Sequence, residues 1–170
     1  ILDLSPHNSL VNYLVGRGHT VYMISWRNPS AEDRDLGMDD YLHKGVLTAL
    51  AEIIKRESDT VKLRAVGYCL GGTLLAMAAA SLAQQQNNNI SSLTLLAAQT
   101  DFTEAGELRL FIDESQLDYL DDMMWNQGYL DTRQMAGTFQ LLRSNDLIWS
   151  RIVNLYLLGK REKMTDLMAW

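Results

Sequence analysis

Short apolar runs alternate with segments of helical periodicity along the first hundred residues. Runs rich in apolar and β-branched residues predict strands, at 1–4, 19–26, 61–68 and 92–98. The segments between them predict helices, at 5–15, from residue 39 onward and at 72–85. Strands that alternate with helices are typical of a parallel sheet with helices on both faces, so the pattern predicts an α/β protein.

Local signals refine the helix boundaries. Pro6 suits the first position of the first helix, and Gly18 is expected to stop it. Asp39 and Asp40 fall in the first turn of the second helix, where carboxylates favour the helix dipole. After about Asp101 the alternation ends and the pattern becomes mostly helical. We therefore expect a partial α/β core over residues 1–100 and a helical cap or lid over 101–170.

Composition excludes several classes of protein. The formal net charge is −6 and no Lys/Arg cluster is present, which argues against nucleic-acid binding. The single cysteine excludes an internal disulfide and a cysteine-based zinc cage, and we expect no metal. The longest apolar runs are too short for a transmembrane segment, and no signal peptide is visible. The chain opens at Ile1 inside a predicted strand and stops at Trp170 inside an apolar segment, so we expect an internal piece of a longer protein.

The sequence GYCLGG at 67–72 stands between a predicted strand and a predicted helix. This layout matches the nucleophile elbow G-x-[S/C]-x-G, which makes Cys69 the candidate nucleophile. Gly67 and Gly71 lack Cβ atoms, so we expect them to let strand and helix approach closely. The positive end of the helix favours the reactive thiolate, and the Leu70 N–H is the predicted oxyanion donor. A buried structural cysteine is the alternative, but the flanking strand and helix favour the elbow.

A thiol nucleophile usually works with a histidine base and an orienting acid, which follow the nucleophile along the chain in this motif. All three histidines (His7, His19 and His43) precede Cys69, and we interpret them as structural or surface residues. Asp101 follows the last predicted strand and is interpreted as a loop-capping residue rather than the acid. The triad Asp and His are therefore expected outside this chain.

Several blocks along the chain are informative when taken together: ILDLSPHNSL, GHTVYMISWRNP, DDYL, VGYCLGGTLLA, DF at 101–102, NDLIW at 145–149 and NLYLLGK at 154–160. These blocks resemble the polyhydroxyalkanoate synthases, polyester polymerases of bacterial storage granules. GYCLGGT is most similar to the short-chain, class I-like poly(3-hydroxybutyrate) polymerases. The resemblance implies an α/β-hydrolase fold, an acyl-carrying Cys69 and a helical cap containing NDLIW.

The same resemblance implies the reaction and the partners. It predicts transfer of 3-hydroxyacyl groups from CoA thioesters to a growing polyester, with no cofactor beyond the acyl-CoA substrate. It associates the stretch around Trp149 with contact in a homodimer, although a core aromatic is an equal alternative. It also predicts a cytoplasmic enzyme on the granule surface. The resemblance also places a second oxyanion N–H donor near Ile1. We interpret Ser9, close to the same loop, as a helix cap.

Two other functions stay open from the sequence. A cysteine-dependent α/β hydrolase of small esters or lactones would have the same elbow. A catalytically inactive module that binds a partner or the granule is the second alternative, although Gly67, Cys69 and Gly71 are all intact. Acyl-chain preference, oligomeric state and any accessory subunit do not follow from the sequence.

Overall fold

The computed structural model describes residues 1–106, 109, 113–133 and 149–160. The chain divides into two compact units. The terminal unit comprises residues 1–23 and 131–170, and the central unit comprises residues 24–130. The predicted boundary between core and cap at residue 100 stays a prediction.

The terminal unit begins with a small hairpin. Strand β1 (Asp3–Ser5) pairs antiparallel with β2 (Asn8–Ser9), and helix α1 (Leu10–Gly16) follows directly. The predicted helix start at residues 5–6 is therefore wrong, because Pro6 lies in the hairpin turn. Ser9 is the N-cap instead, and its Oγ accepts a hydrogen bond from the Asn12 N–H at 2.9 Å. The stop after α1 is confirmed, with Gly18 in the left-handed region at φ +85°.

The predicted strand at 19–26 is also wrong. Residues 19–30 have no regular secondary structure, although the sequence HTVYMISW is rich in β-branched and aromatic residues. A strand is held by its ladder of hydrogen bonds. Among the described residues, the only strand pairings are β1 with β2 and β3 with β4, so none stabilises this segment.

The long helix predicted from Asp39 is confirmed as three continuous pieces. These are α2 (Met38–Asp40), a π-helical segment (Tyr41–Leu47) and α3 (Thr48–Glu57). Asp40 caps its start, with one carboxylate oxygen 2.7 Å from Lys44 Nζ and the other accepting from the Gly37 N–H at 3.0 Å. These two hydrogen bonds, the Lys44 one first, hold the pKa of Asp40 below its usual range.

The centre of the fold is a β-α-β unit. Strand β3 (Leu63–Tyr68) is followed by α4 (Leu70–Gln84) and β4 (Ile90–Leu96), and the two strands are parallel, with Tyr68 opposite Leu96. Helix α4 packs against both strands and against the π-helical segment. It supplies most of the buried apolar side chains of the described residues, Leu74, Leu75, Ala78 and Leu82. These elements confirm the α/β class.

The described residues after Asp101 are mostly helical. Helix α5 (Glu114–Gln127) is capped by Asp113 and ends at Gly128 with φ +89°, and α6 (Ser150–Ile152) continues into a π-helical segment (Val153–Leu157). None of the described helices is long and apolar enough to cross a bilayer. Most of the NDLIW block, residues 145–148, lies outside the described residues.

Trp26 and Gly45 form a tight contact that predicts an unusual effect of a glycine substitution. The Trp26 ring packs edge-on to Tyr41, with ring centroids 5.6 Å apart, and a Cβ on Gly45 would overlap the ring atom Cη2 and lie 2.6 Å from Cζ3. Helical Gly→Ala usually stabilises by about 0.5–1 kcal/mol. Here the methyl would displace the far end of the Trp26 side chain, which is 46% exposed, and would disturb its contact with Tyr41. We therefore expect Gly45→Ala to lower the thermal midpoint of the protein modestly, by a loss near the low end of typical overpacking costs, about 1 kcal/mol.

The matched control is Gly16→Ala in α1, where a Cβ meets nothing within 4 Å, so its thermal midpoint should stay equal or rise. The double variant Gly45→Ala/Trp26→Leu should lose less stability than the two single changes added together, because the ring is then gone. Additive losses would show that the Trp26 ring does not pack against Gly45.

Candidate active site

Cys69 lies at the junction between β3 and α4, in a backbone conformation that side-chain-bearing residues rarely adopt. Its φ and ψ are +52° and −126°, and its side chain is exposed. Such a conformation costs about 1–3 kcal/mol and persists only when surrounding structure imposes it. The Cys69 N–H donates to the Leu96 carbonyl at 2.9 Å, which fixes the turn to the end of β4. The strained, exposed turn is the local geometry expected of a nucleophile elbow.

The residues after Cys69 begin a 15-residue helix. The Cys69 carbonyl accepts from the Gly72 and Thr73 N–H groups at 2.9 and 3.3 Å, which closes the first turn. The N–H groups of Leu70 and Gly71 occupy the first helical positions, which have no acceptor within a helix. Leu70 is 60% exposed. A developing negative charge beside Cys69 would therefore meet backbone donors and the positive end of the dipole.

Two glycines bring strand and helix together at this turn, and one of them differs from the prediction. A Cβ on Gly67 would lie 2.5 Å from Gly72 Cα and 2.9 Å from the Gly71 carbonyl oxygen. A Cβ on Gly72 would overlap the Ala98 Cβ. At Gly71, by contrast, a Cβ would meet nothing within 4 Å. The close approach expected of Gly67 and Gly71 is thus made by Gly67 and Gly72.

The loop after β4 is hydrogen-bonded to the first turn of α4. Thr73 is 5% exposed, and its hydroxyl donates to the Gln99 carbonyl at 2.6 Å. Gln99 in turn donates from Nε2 to the Asp101 carbonyl at 3.0 Å. Asp101 accepts from the Thr103 hydroxyl at 2.5 Å and from its N–H at 2.9 Å, and these bonds, the hydroxyl first, hold the pKa of Asp101 below its usual range. Asp101 is therefore a loop cap, as the sequence predicts.

The three histidines are all exposed. His43 lies 3.1 Å from the carboxylate of Asp39, one turn earlier on its own helix, and His7 lies in the β1–β2 turn. These placements agree with their interpretation as surface residues. No group of three or more His, Cys, Asp or Glu side chains within the described part of the chain could hold a metal ion.

Two predicted site residues belong to the terminal unit. Ile1 is 45% exposed, and the role of its backbone N–H as a second oxyanion donor stays a prediction. Trp149 is 60% exposed where α6 begins, and its part in a dimer also stays a prediction.

The sequence reasoning missed the contacts of Gly72, Thr73 and Ala98. The glycine doublet at 71–72 is the signal that could have suggested a second close approach. Nothing in the sequence indicates that Thr73 would reach the Gln99 carbonyl, because that contact depends on where β4 ends relative to α4.

A strained cysteine between a parallel strand and a helix is a feature of one well-known class of enzyme fold. The alpha/beta hydrolase fold family matches residues 3–169, so the chain belongs to that family. This match confirms the fold class predicted from the sequence.

Comparison with curated proteins confirms the resemblance to the polyester polymerases. The chain is 44% identical over its whole length to the poly(3-hydroxyalkanoate) polymerase of Methylorubrum extorquens, of which it covers 28%. It is 42% identical to the poly(3-hydroxyalkanoate) polymerase subunit of Rhizobium etli, covering 27% of that protein. It is 36% identical to the corresponding subunit of Cupriavidus necator, covering 30%. The chain thus spans less than a third of the length of these relatives.

Proposed function

We propose that this chain is the nucleophile-bearing part of a poly(3-hydroxyalkanoate) polymerase, an acyltransferase that uses Cys69 to carry the acyl group. The observation that carries the proposal is the exposed Cys69 at φ +52°, at the start of a 15-residue helix. The similarity to poly(3-hydroxyalkanoate) polymerases over the whole chain supplies the substrate class. A polypeptide that contains this sequence and has the length of those relatives is called the complete polymerase below.

The first step is a thioester exchange. The Cys69 Sγ, as thiolate, attacks the carbonyl carbon of a 3-hydroxyacyl-CoA, and the bond from that carbon to the CoA sulfur breaks. The CoA sulfur leaves with the electron pair and takes up a proton. Because one thioester replaces another, the exchange is nearly isoenergetic. In this proposal the Leu70 N–H would stabilise the negative oxygen of the tetrahedral intermediate.

The second step forms the polyester bond. A hydroxyl oxygen of another 3-hydroxyacyl unit attacks the carbonyl carbon of the Cys69 thioester and loses its proton. The bond from carbon to Sγ breaks, and an ester replaces the thioester. The base that moves these protons is the histidine implied by the resemblance, with its orienting Asp, both outside this chain. A serine ester in place of the thioester would lose the driving force for this step.

Other parts of the proposal follow from the resemblance. Both steps are acyl transfers without a change of oxidation state, and the resemblance implies no cofactor beyond the acyl-CoA substrate. The enzyme would act in the cytoplasm at the surface of the storage granule. The exposed Trp149 would take part in contact between two copies.

The products of the reaction distinguish a polymerase from a hydrolase with the same elbow. We expect the complete polymerase, supplied with 3-hydroxybutyryl-CoA, to release CoA in an amount matched by polymer ester. Free thiol would be titrated, and polymer and free 3-hydroxybutyrate would be quantified in the same samples. Protein alkylated at Cys69 is the matched control.

Each other outcome contradicts the proposal in a distinct way. Free 3-hydroxybutyrate equal to the CoA released would indicate a cysteine-dependent hydrolase. No CoA release from well-folded protein would favour an inactive module that binds a partner.

A further inference from the structure

The last residue of β4 and the loop that follows it contact residues 69–73, named here the Cys69 turn, at three points. The Leu96 carbonyl accepts from the Cys69 N–H at 2.9 Å, the Ala98 Cβ rests against Gly72, and the Gln99 carbonyl accepts from the Thr73 hydroxyl at 2.6 Å. These contacts involve a backbone amide, a methyl group and a buried side chain. They therefore restrain the first turn of α4 along its length.

The loop itself is held in a defined conformation. Ala97 has a left-handed φ of +49°, which a residue with a side chain adopts only under restraint. Farther along, Gln99 Nε2 donates to the Asp101 carbonyl, and both the N–H and the hydroxyl of Thr103 donate to the Asp101 carboxylate. An element fixed in this way can transmit its position to what it touches.

Thr73 is the one side chain of α4 that bonds to the loop through a described hydrogen bond. Thr73 is 5% exposed, and it follows Cys69 by about one helical turn along the chain. The bond is part-buried, and its loss would leave the Gln99 carbonyl without this donor, which costs stability.

We infer that residues 97–103, named here the β4 loop, position Cys69 for reaction and that Thr73 is the positioning residue that couples the loop to the Cys69 turn. The inference rests on the proposed role of Cys69 as nucleophile. This assigns the β4 loop a positioning role rather than a catalytic one. It holds the turn so that Sγ and the Leu70 N–H keep the relative geometry that acyl transfer requires, and small displacements of such groups reduce rate strongly.

Thr73→Val removes the hydroxyl and keeps the shape of the side chain. In the complete polymerase we expect it to lower kcat for CoA release about tenfold, with KM little changed. The rate of alkylation of Cys69 by iodoacetamide, followed by mass spectrometry of the Cys69 peptide, should fall several-fold. Thr73→Ser, which restores the donor, should recover most of both rates.

A matched control separates positioning from stability. Leu82 is 6% exposed at the far end of α4, so Leu82→Ala should lower the thermal midpoint while kcat and the alkylation rate stay unchanged. If Thr73→Val fails to fold, Ala98→Gly, which removes only the methyl against Gly72, should lower both rates in the same direction. Wild-type rates in the folded Thr73→Val variant, or in Ala98→Gly, would overturn the inference, as would Thr73→Ser behaving like Thr73→Val.

The two readouts also separate this inference from the proposed function. The alkylation rate needs no polymerisation, so it reports on the β4 loop even in a protein that makes no polymer. Activity that survives Cys69→Ala would overturn the nucleophile assignment, whereas unchanged alkylation in Thr73→Val would overturn the positioning role alone.

Discussion

Replacing Cys69 by alanine is expected to abolish CoA release and polymer formation by the complete polymerase. Removal of a catalytic nucleophile lowers turnover on the order of 10⁶-fold. Cys69→Ser should retain a small fraction of activity, because the hydroxyl is a much weaker nucleophile and the ester formed is less activated for the next attack. CoA release measured with 3-hydroxybutyryl-CoA gives both values.

The backbone of Cys69 supplies a control for folding. Alanine and serine keep a Cβ and therefore keep the strain at φ +52°, so both variants should unfold near the temperature of the parent. Cys69→Gly also lacks the thiol, but it relieves strain worth about 1–3 kcal/mol and should unfold at a higher temperature than Cys69→Ala. Substantial turnover by folded Cys69→Ala protein would refute the nucleophile assignment.

The elements that were predicted well share one property, namely that their own sequence nearly determines them. Strand β3 and helix α4 differ sharply in composition on the two sides of GYC, and the glycines at that point are compatible with few other structures. The α/β class and the strained turn at Cys69 could therefore be predicted from the sequence. Predicting these elements did not require knowledge of the residues that pack against them.

The elements that were predicted wrongly depend on partners distant in the chain. The segment at 19–26 has the composition of a strand, but composition cannot supply the pairing strand that a ladder needs. Pro6 suits the first turn of a helix and equally suits a tight turn, and Ser9 can cap a helix that begins at Leu10. Because residues 3–9 form the hydrogen-bonded hairpin, the helix begins after Ser9 rather than at residues 5–6.

The candidate site divides in the same way. Cys69 and Leu70 follow from the motif, since their places are set by the turn itself. The motif selects Gly71, and only the packing of α4 on β3 and against Ala98 shows that Gly72 is the one that needs to lack a side chain. The bond from Thr73 to Gln99 joins residues 26 positions apart and depends on where β4 ends.

The two glycines of the motif should respond very differently to alanine. At Gly67 the new methyl would lie 2.5 Å from Gly72 Cα and 2.9 Å from both the Gly71 carbonyl oxygen and the Gly72 nitrogen. These are backbone atoms, which cannot rotate aside, so β3 and α4 would have to separate. We expect Gly67→Ala to destabilise the complete polymerase by about 3 kcal/mol, at the upper end of typical overpacking costs. Thermal or urea unfolding measures the loss.

Gly71→Ala is the matched control, four residues away on the same turn. Its methyl meets nothing within 4 Å, and its backbone conformation is accessible to alanine, so the unfolding temperature should stay equal or rise slightly. Alkylation of Cys69 should slow in Gly67→Ala, because the turn that presents the sulfur moves with the helix, and should change little in Gly71→Ala. Equal stability of the two variants would contradict the close approach of β3 and α4 at Gly67, and with it the physical reason for a glycine two residues before the nucleophile.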